Sequence, residues 1–221
     1  MKQNLSNLFI IGTDTEVGKT VITCAILSKH KNTLGIKPIS SGATIINNQL
    51  KNSDALSIIK HNSFALPYSS INPWCFQSAV SPHIAAKEHG ATIKSNEVSA
   101  FIHNTQKNHR DKFIICEGAG GVCCPINDDE NFLDILAQTN WPALLVVGLK
   151  LGCLNHTQLT ITSLNIAKIK LHGWISNEIK PMQAKHENIT TLQKIIKAPH
   201  LGDIPYQKDL KIENIANLIK I

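Results

Sequence analysis

A phosphate-binding loop follows the first apolar stretch of the sequence. Residues 12–20 read GTDTEVGKT directly after LFII, and a stretch rich in Val, Ile, Ala and Leu comes next. The usual pattern of such loops is GxxxxGK[ST], but here Gly12 stands one residue too early and Thr13 takes the first position. Main-chain N–H groups and the helix N-terminus hold phosphate, while Lys19 reaches the outer phosphates and the Thr20 hydroxyl can bind Mg²⁺. The order of strand, loop and helix predicts a nucleotide triphosphate site.

Three further charged residues stand where they could face this loop. Lys37 ends the apolar run LGIK, Asp54 lies early in a helical pattern, and Glu117 ends the apolar run FIICE. Each has a simple structural alternative when taken alone, such as a lysine ending an edge strand or a carboxylate favouring a helix N-terminus. Together with the Thr20 hydroxyl, however, two carboxylates suit a hard cation that prefers oxygen ligands. The interpretation of Thr20, Asp54 and Glu117 as Mg²⁺ ligands therefore depends on these side chains converging in the fold.

The elements that must position these side chains alternate along the chain. The short apolar runs occupy residues 8–12, 34–38, 113–118, 143–149 and 171–177. Segments of helical character occupy residues 52–61, 81–90, 95–106, 131–139 and 155–168. Strands that are apolar throughout are buried on both faces, which is typical of a parallel sheet between helix layers. We predict one α/β domain over residues 1–221, with a mostly parallel sheet, helices on both faces and ligands at the carboxyl ends of the strands.

Two other loops follow predicted strands. GAGG, residues 118–121, comes directly after Glu117 and lets the main chain approach a ligand closely. KLGCLNH, residues 150–156, opens a helix, so its N–H groups predict a second anion site. The chain's only arginine, Arg110, precedes the strand that carries Glu117 and so belongs at the opposite end of the sheet. Stabilisation of a transferring phosphoryl group is therefore assigned to Lys19, Lys37 and the metal.

Composition excludes several other classes of protein. The six cysteines form no CxxC pair and the ten histidines lack the spacing of a zinc site, so packed, reduced thiols are expected. The formal net charge of +6 comes from dispersed lysines, which favours a solvated surface over a nucleic-acid interface. No signal-peptide pattern or stretch of membrane-spanning length occurs, which predicts a cytoplasmic protein with no membrane partner.

The motifs together resemble those of the dethiobiotin synthetases. GTDTEVGKT, KPISSG, NSDAL, SPHIAA, EGAGG, GLKLGCLNH, GWISNE and GDIP occur in the order and spacing of that family, from about residue 8 to 206. The run VCCP after GAGG departs from the family pattern. Beyond Tyr206 the likeness fades, and the tail from Lys208 to Ile221 is predicted to be a closing amphipathic helix. The resemblance implies a P-loop NTPase fold.

The resemblance to the dethiobiotin synthetases also implies a reaction. ATP, CO₂ or bicarbonate, and 7,8-diaminononanoate would be the substrates, with Mg²⁺ required. One amine forms a carbamate, a carbamate oxygen attacks the γ-phosphate, and the second amine closes the ureido ring with loss of phosphate. By this resemblance Lys37, Lys19 and Thr15 are the catalytic residues. Thr15 and Ser41 would position the diamine, and Lys37 would stabilise the carbamate and its phosphorylated form.

The resemblance assigns the remaining site residues as well. Nucleotide binding is assigned to Glu16, Val17, Gly18, Lys19, Thr20, Val21, Asp54, Glu117, Gly118, Ala119, Gly120, Asn177, Pro205 and Tyr206. Among them, Asn177 would read the adenine, and the segment around Pro205 would form the other wall. In this family the loop matching Leu151, Gly152, Cys153, Leu154 and Asn155 comes from the partner subunit of a homodimer and binds the substrate carboxylate.

Two other classes of nucleotide-binding protein share part of this pattern. A nucleotide switch of the partition or septum-site ATPase type carries a second lysine near the start of the loop, where this sequence has GTDTE. Cobyrinic-acid amidation enzymes need a glutamine-hydrolysing domain, for which 221 residues leave no room. The switch is the main alternative, and it differs from a synthetase in turning over ATP without regard to the diamine.

Overall fold

The computed structural model describes residues 7–208 and 211–221. Its strands are β1 (Leu8–Gly12), β2 (Thr33–Ile36), β3 (Ile39–Ser40), β4 (Thr44–Ile46), β5 (Gln49–Lys51), β6 (Trp74–Cys75), β7 (Phe113–Glu117), β8 (Ala143–Leu149), β9 (Leu171–Glu178) and β10 (His200–Ile204). Its helices are α1 (Lys19–Lys29), α2 (Ser53–His61), α3 (Pro82–Glu88), α4 (Ser95–Asn108), α5 (Phe132–Thr139), α6 (Cys153–Ile166), α7 (Lys185–Ile195) and α8 (Ile212–Leu218). None of these helices is both long and apolar enough to cross a membrane.

Six strands form one parallel sheet in the order β10-β9-β8-β1-β7-β2. Every residue of β1, β7 and β8 is buried, as expected for strands covered by helices. The sheet with its surrounding helices confirms the predicted α/β class. The core runs along these central strands and contains the fully buried Trp174 of β9.

The register of the sheet gathers the charged residues at one edge. Ile10 of β1 pairs with Glu117 of β7, and Ile36 of β2 pairs with Cys116. Lys37, the residue after β2, therefore lies beside Glu117. Because all strands of the sheet run the same way, the loops that follow them meet at this edge.

Several elements differ from the sequence-based prediction. The helix after β8 begins at Cys153, two residues earlier than predicted, and the closing helix spans only Ile212–Leu218. Residues 209 and 210 of the predicted closing helix lie outside the described residues. The hairpin of β4 and β5, helix α7 and the edge strand β10 had no predicted counterpart. Arg110 lies in the turn before β7, at the amino ends of the strands, as the sequence indicated.

Candidate active site

The loop between β1 and α1 ends in a helix N-terminus without a side-chain cap. Gly18 is the N-cap residue, with φ of 90°, and no side chain accepts a hydrogen bond from the first turn of α1. Glu16 also has a positive φ, 55°, a conformation that residues with a side chain rarely adopt. First-turn N–H groups lack partners within their own helix and favour an anion. The loop thus has the chemistry of a phosphate site.

Lys19 is buried at the mouth of this loop. Its Nζ donates to the carbonyl oxygens of Asp14 and Gly120, each at 2.8 Å. Burial and the positive charge of Lys37 lower the pKa of Lys19 to about 8, against the opposing effect of nearby carboxylates such as Glu117. The Lys19 ammonium group therefore connects the phosphate-binding loop to the GAGG loop.

Glu117 is the centre of the buried polar cluster. Its Oε1 accepts hydrogen bonds from Thr20 Oγ1 and Lys37 Nζ, both at 2.7 Å, and its Oε2 accepts one from Thr23 Oγ1 at 2.7 Å. Lys37 Nζ also lies 3.2 Å from Asp54 Oδ2. Although burial opposes it, these two carboxylates hold the pKa of Lys37 above its ordinary value. Lys37 thus lies between two carboxylate side chains, which favour its charged form.

The donor set of this cluster fits Mg²⁺. Thr20, Asp54 and Glu117 supply hydroxyl and carboxylate oxygens, the ligands a hard cation prefers, and Asp54 is partly open to solvent. Among the residues that the structure describes, no three His, Cys, Asp or Glu side chains cluster as a metal site. Mg²⁺ commonly takes one or two carboxylates and completes its shell with water and substrate phosphates.

A cleft of about 370 Å³ contains half of the residues expected to bind nucleotide, metal or substrate. It is lined by Thr15, Glu16, Gly18, Lys19, Thr20, Val21, Lys37, Ser40, Ser41, Asn52, Asp54, Ala119 and Gly120. Asn52 caps helix α2 by accepting from the N–H groups of Asp54 and Ala55, and its Nδ2 donates to the Ser41 carbonyl at 3.1 Å. This residue fixes the start of the helix that carries Asp54 against the loop that carries Ser41.

Val17 and Gly118 do not line the cleft. Both are held inside the protein by packing or by a main-chain hydrogen bond. Val17 is fully buried, and a Cβ added at Gly12 or at Gly148 would lie 2.7 Å from its methyl groups. The Gly118 N–H donates to the Ile10 carbonyl at 3.0 Å. The glycine at position 12 is thus explained by the packing of Val17 beneath the loop.

The residues expected to surround the adenine lie at the ends of β9 and β10. Asn177 pairs with Ile204 across the sheet, and Pro205 and Tyr206 follow directly. Asn177 Nδ2 donates to the Val17 carbonyl at 2.8 Å, which ties the end of β9 to the phosphate-binding loop.

The loop from Leu151 to Asn155 lies outside the cleft. Leu151 is 98% exposed, Gly152 has φ of 92° as the N-cap of α6, and Cys153 is buried. Among the described residues, none in this loop lines the cleft of the same chain that contains Lys37. Nζ of the preceding residue, Lys150, lies 2.7 Å from Asp14 Oδ2. This ion pair connects the loop to the phosphate-binding loop.

Sequence reasoning missed several residues of the site. Thr23 lies one helical turn after Thr20, a spacing that could have identified it as a second hydroxyl on the same helix face. The ion pair of Asp14 with Lys150 spans 136 residues and had no local signal. The expected packed thiols are seen at Cys24, Cys116 and Cys153, whereas Cys123 is exposed. Its Sγ lies 3.3 Å from Ser163 Oγ, outside the cleft.

The parallel sheet and its glycine-bearing loop at a helix N-terminus define a P-loop NTPase. A family model described as an AAA domain matches residues 6–214. Solved structures with the same fold include the MinD cell division protein of Aquifex aeolicus, with a TM-score of 0.57, 19% identity and coverage of 95% of this chain and 86% of that chain. A ParA family ATPase from Chlorobium tepidum gives 0.55, 14% identity and coverage of 98% and 91%.

The sequence is much more similar to a different group within this class. An ATP-dependent dethiobiotin synthetase of Legionella pneumophila (strain Corby) is 44% identical over 203 residues, covering 91% of this chain and 94% of the relative. One from Escherichia coli K12 is 41% identical, covering 90% and 89%. The chain belongs to the ATP-dependent dethiobiotin synthetases, a family of ligases.

Proposed function

We propose that this chain is the Mg²⁺-dependent cyclo-ligase that converts 7,8-diaminononanoate, CO₂ and ATP into dethiobiotin, ADP and phosphate. The family supports the overall reaction. The observation that carries the proposal is Lys37, a buried cation that faces the same cleft as the phosphate-binding Lys19. Such a pair can stabilise negative charge on both partners of a phosphoryl transfer.

The reaction proceeds in three steps. An amine nitrogen forms a bond to CO₂, giving a carbamate and releasing a proton. A carbamate oxygen then attacks the γ-phosphorus, and the bond to the bridging oxygen of ADP breaks. The second amine attacks the carbonyl carbon of this mixed anhydride, loses a proton and expels phosphate, which closes the ureido ring.

Lys37 and Lys19 act by charge and position. Lys37 stabilises the carbamate and its phosphorylated form through the charge of its ammonium group, whose pKa the neighbouring Glu117 and Asp54 raise against the effect of burial. Lys19 binds the outer phosphates once its hydrogen bonds to the Asp14 and Gly120 carbonyls are exchanged for phosphate oxygens. Thr15 and Ser41, both on the cleft wall, position the diamine.

Mg²⁺ would be held by Thr20, Asp54 and Glu117, where it would neutralise charge on the β- and γ-phosphates. Thr20 and Glu117 already share a hydrogen bond of 2.7 Å, so their oxygens are preorganised near one another. The main chain of Glu16 and of Gly18 to Val21, with that of Ala119 and Gly120, cradles the phosphates. Asn177 reads the adenine, and Pro205 with Tyr206 forms the opposite wall.

The active assembly in this proposal is a homodimer. The amine end of the diamine lies near Lys37 and Thr15, so its carboxylate must bind several carbon atoms away. In one chain the loop Leu151–Asn155 is not part of that cleft, yet it combines an exposed segment with a helix N-terminus suited to an anion. The partner subunit's copy of this loop completes each site.

Measurement of ADP release with Mg²⁺ and bicarbonate, with and without diaminononanoate, tests the proposal. We expect turnover that requires the diamine and yields dethiobiotin, identified by its mass. The folds of MinD and ParA make a nucleotide switch the alternative. ATP turnover indifferent to the diamine would favour the switch and contradict the synthetase assignment.

A further inference from the structure

An ion-pair network joins the ends of β9 and β10 to helix α7. Lys185, the first residue of α7, has its Nζ 3.1 Å from Glu178 Oε2 and 3.0 Å from Asp203 Oδ2. The Glu178 side chain is 14% exposed and that of Lys185 is 24% exposed, so the contact is partly shielded from solvent. Asp203 Oδ1 in turn accepts from the buried Ser176 hydroxyl at 2.8 Å. One ammonium group therefore links two carboxylates that stand on neighbouring strands.

Glu178 also accepts hydrogen bonds from two main-chain N–H groups of different segments. Its Oε2 accepts the Tyr206 N–H at 3.2 Å, and its Oε1 accepts the Met182 N–H at 3.3 Å. Although burial opposes it, these N–H groups and Lys185 hold the pKa of Glu178 below its ordinary value. The carboxylate is thus an anion that fastens the segment after β10 to the end of β9.

This network is joined directly to the two segments proposed to enclose the nucleotide base. Asn177 precedes Glu178 and is hydrogen-bonded to the Val17 carbonyl of the phosphate-binding loop. Pro205 precedes Tyr206, whose N–H is the group that Glu178 holds. Loss of the Glu178 contact would therefore release the Pro205–Tyr206 wall, while Asn177 stays held by its hydrogen bond to the Val17 carbonyl.

We infer that Lys185 is a positioning residue for recognition of the nucleotide base, acting through Glu178 and Asp203. Without its ammonium group the two carboxylates would repel one another across the strand ends. The segment of Pro205 and Tyr206 would then lose its fixed distance from Asn177. This inference rests on the proposed function, because it takes Asn177, Pro205 and Tyr206 as the walls of the base site.

A ligand with a nucleotide base and one without it distinguish this role from direct contact with phosphate. We would measure the affinities of ATP and of inorganic tripolyphosphate by calorimetry for the wild type, Lys185→Met and Lys185→Arg. Because partly exposed ion pairs contribute modestly, Lys185→Met should weaken ATP binding by about three- to tenfold. Tripolyphosphate affinity should not change, and Lys185→Arg, which can keep both ion pairs, should restore ATP affinity. Lys194→Met is the matched control, because Lys194 lies exposed on the same helix.

The other outcomes overturn the inference. Unchanged ATP affinity in Lys185→Met would remove Lys185 from nucleotide recognition, and equal weakening of both ligands would mean a role at the phosphates. Failure of Lys185→Arg to differ from Lys185→Met would exclude action through the ion pairs. If Lys185→Met does not yield folded protein, Lys185→Gln serves in its place. Failure of the proposed function is recognised separately, as wild-type ADP release that ignores the diamine.

Discussion

Lys37 Nζ lies 2.7 Å from Glu117 Oε1, and the two side chains are only 5% and 0% exposed. Thr20 and Thr23 donate to the same carboxylate, so Glu117 is a buried anion with three donors around it. Removing one partner from such a pair costs more than the pair itself contributes, because it leaves an uncompensated buried charge. Substitutions at Lys37 and Glu117 must therefore be tested for folding as well as for activity.

Lys37→Ala should abolish ring closure while leaving ATP binding in place. Its ammonium acts on the carbamate and the transferring phosphoryl group, and loss of one such contact typically lowers the rate by about 10² or more. The uncompensated Glu117 should also lower the free energy of unfolding by about 3 kcal/mol. ADP release, ATP calorimetry and denaturant unfolding check the three expectations. Turnover equal to that of the wild type would remove Lys37 from the mechanism.

Glu117→Gln should raise the Mg²⁺ concentration needed for half-maximal activity. An amide keeps the shape of the side chain but lacks the charge that a hard cation prefers. Its oxygen can stay toward Lys37 and Thr20 while its NH₂ donates to the Thr23 hydroxyl, which also donates to the Lys19 carbonyl at 3.0 Å, so the chain should stay folded. Glu97→Gln is the control, because Glu97 is half exposed on α4 and is not among the residues that line the cleft. A wild-type Mg²⁺ titration for Glu117→Gln would make Glu117 a structural residue.

Gly18→Ala should weaken ATP binding more than backbone strain alone explains. Gly18 has φ of 90°, and a Cβ there would lie 2.3 Å from Asn177 Nδ2, so the Asn177 side chain must move away from the Val17 carbonyl. The matched control is Gly90→Ala, which also has a positive φ, 65°, but nothing within 4 Å of the added Cβ. Both variants should lose about 1 kcal/mol of stability through strain, while only Gly18→Ala should lose ATP affinity, by tenfold or more. Calorimetry measures the ATP affinity of each variant and thermal unfolding measures its stability. Equal ATP affinities would mean that the contact between position 18 and Asn177 does not affect ATP binding.

ATP affinity should fall as the pH rises through about 8. Burial lowers the pKa of Lys19 to about 8, so the protein without nucleotide loses this cation above that pH. An anionic triphosphate favours the protonated form and raises the pKa of Lys19 on binding, so binding above pH 8 takes up a proton. Calorimetry at pH 9 in buffers of different ionisation enthalpy should detect an uptake approaching one proton. Lys19→Arg, which stays charged, should bind without this uptake, and an equal uptake in both proteins would assign the proton to another group.

The elements that the sequence predicted correctly are those whose own residues form a recognisable hydrophobic pattern. Strands β1, β7 and β8 are buried on both faces and read as continuous apolar runs. By contrast, β10 pairs with only one strand, and its sequence HLGDI has an interrupted pattern. Gly202 within it is needed because a Cβ would lie 2.9 Å from the Leu218 carbonyl, a contact with the segment of α8 that no local pattern reveals.

The same distinction applies to the site. The phosphate-binding loop and its helix could be predicted because nine consecutive residues carry the motif. The contacts that organise it join residues far apart in sequence, such as Lys37 with Glu117, which are 80 residues apart. The hairpin of β4 and β5 was missed because its turn uses Asn47 and Asn48, both with positive φ, instead of the more familiar Asn-Gly.

Subunit mixing tests whether the loop Leu151–Asn155 completes the partner's site. Gly152→Asp should be inactive, because its carboxylate would occupy the N-terminus of α6 and repel the substrate carboxylate. Gly152→Asn has nearly the same shape and strain without the charge, and a Cβ at this position meets nothing within 4 Å, so it should remain active. Lys37→Ala is inactive for a different reason, since its defect lies on the cleft side of the shared site.

Mixed and allowed to exchange subunits, the inactive Lys37→Ala and Gly152→Asp proteins should regain activity together. Random pairing makes about half of the dimers mixed, and each mixed dimer has one site with an intact lysine and an intact loop. Activity should therefore reach up to about a quarter of the wild-type value per total site. Exchange is verified independently with a mass-tagged subunit. If the mixture stays inactive after proven exchange, the carboxylate tail is bound within one subunit and the shared site does not exist.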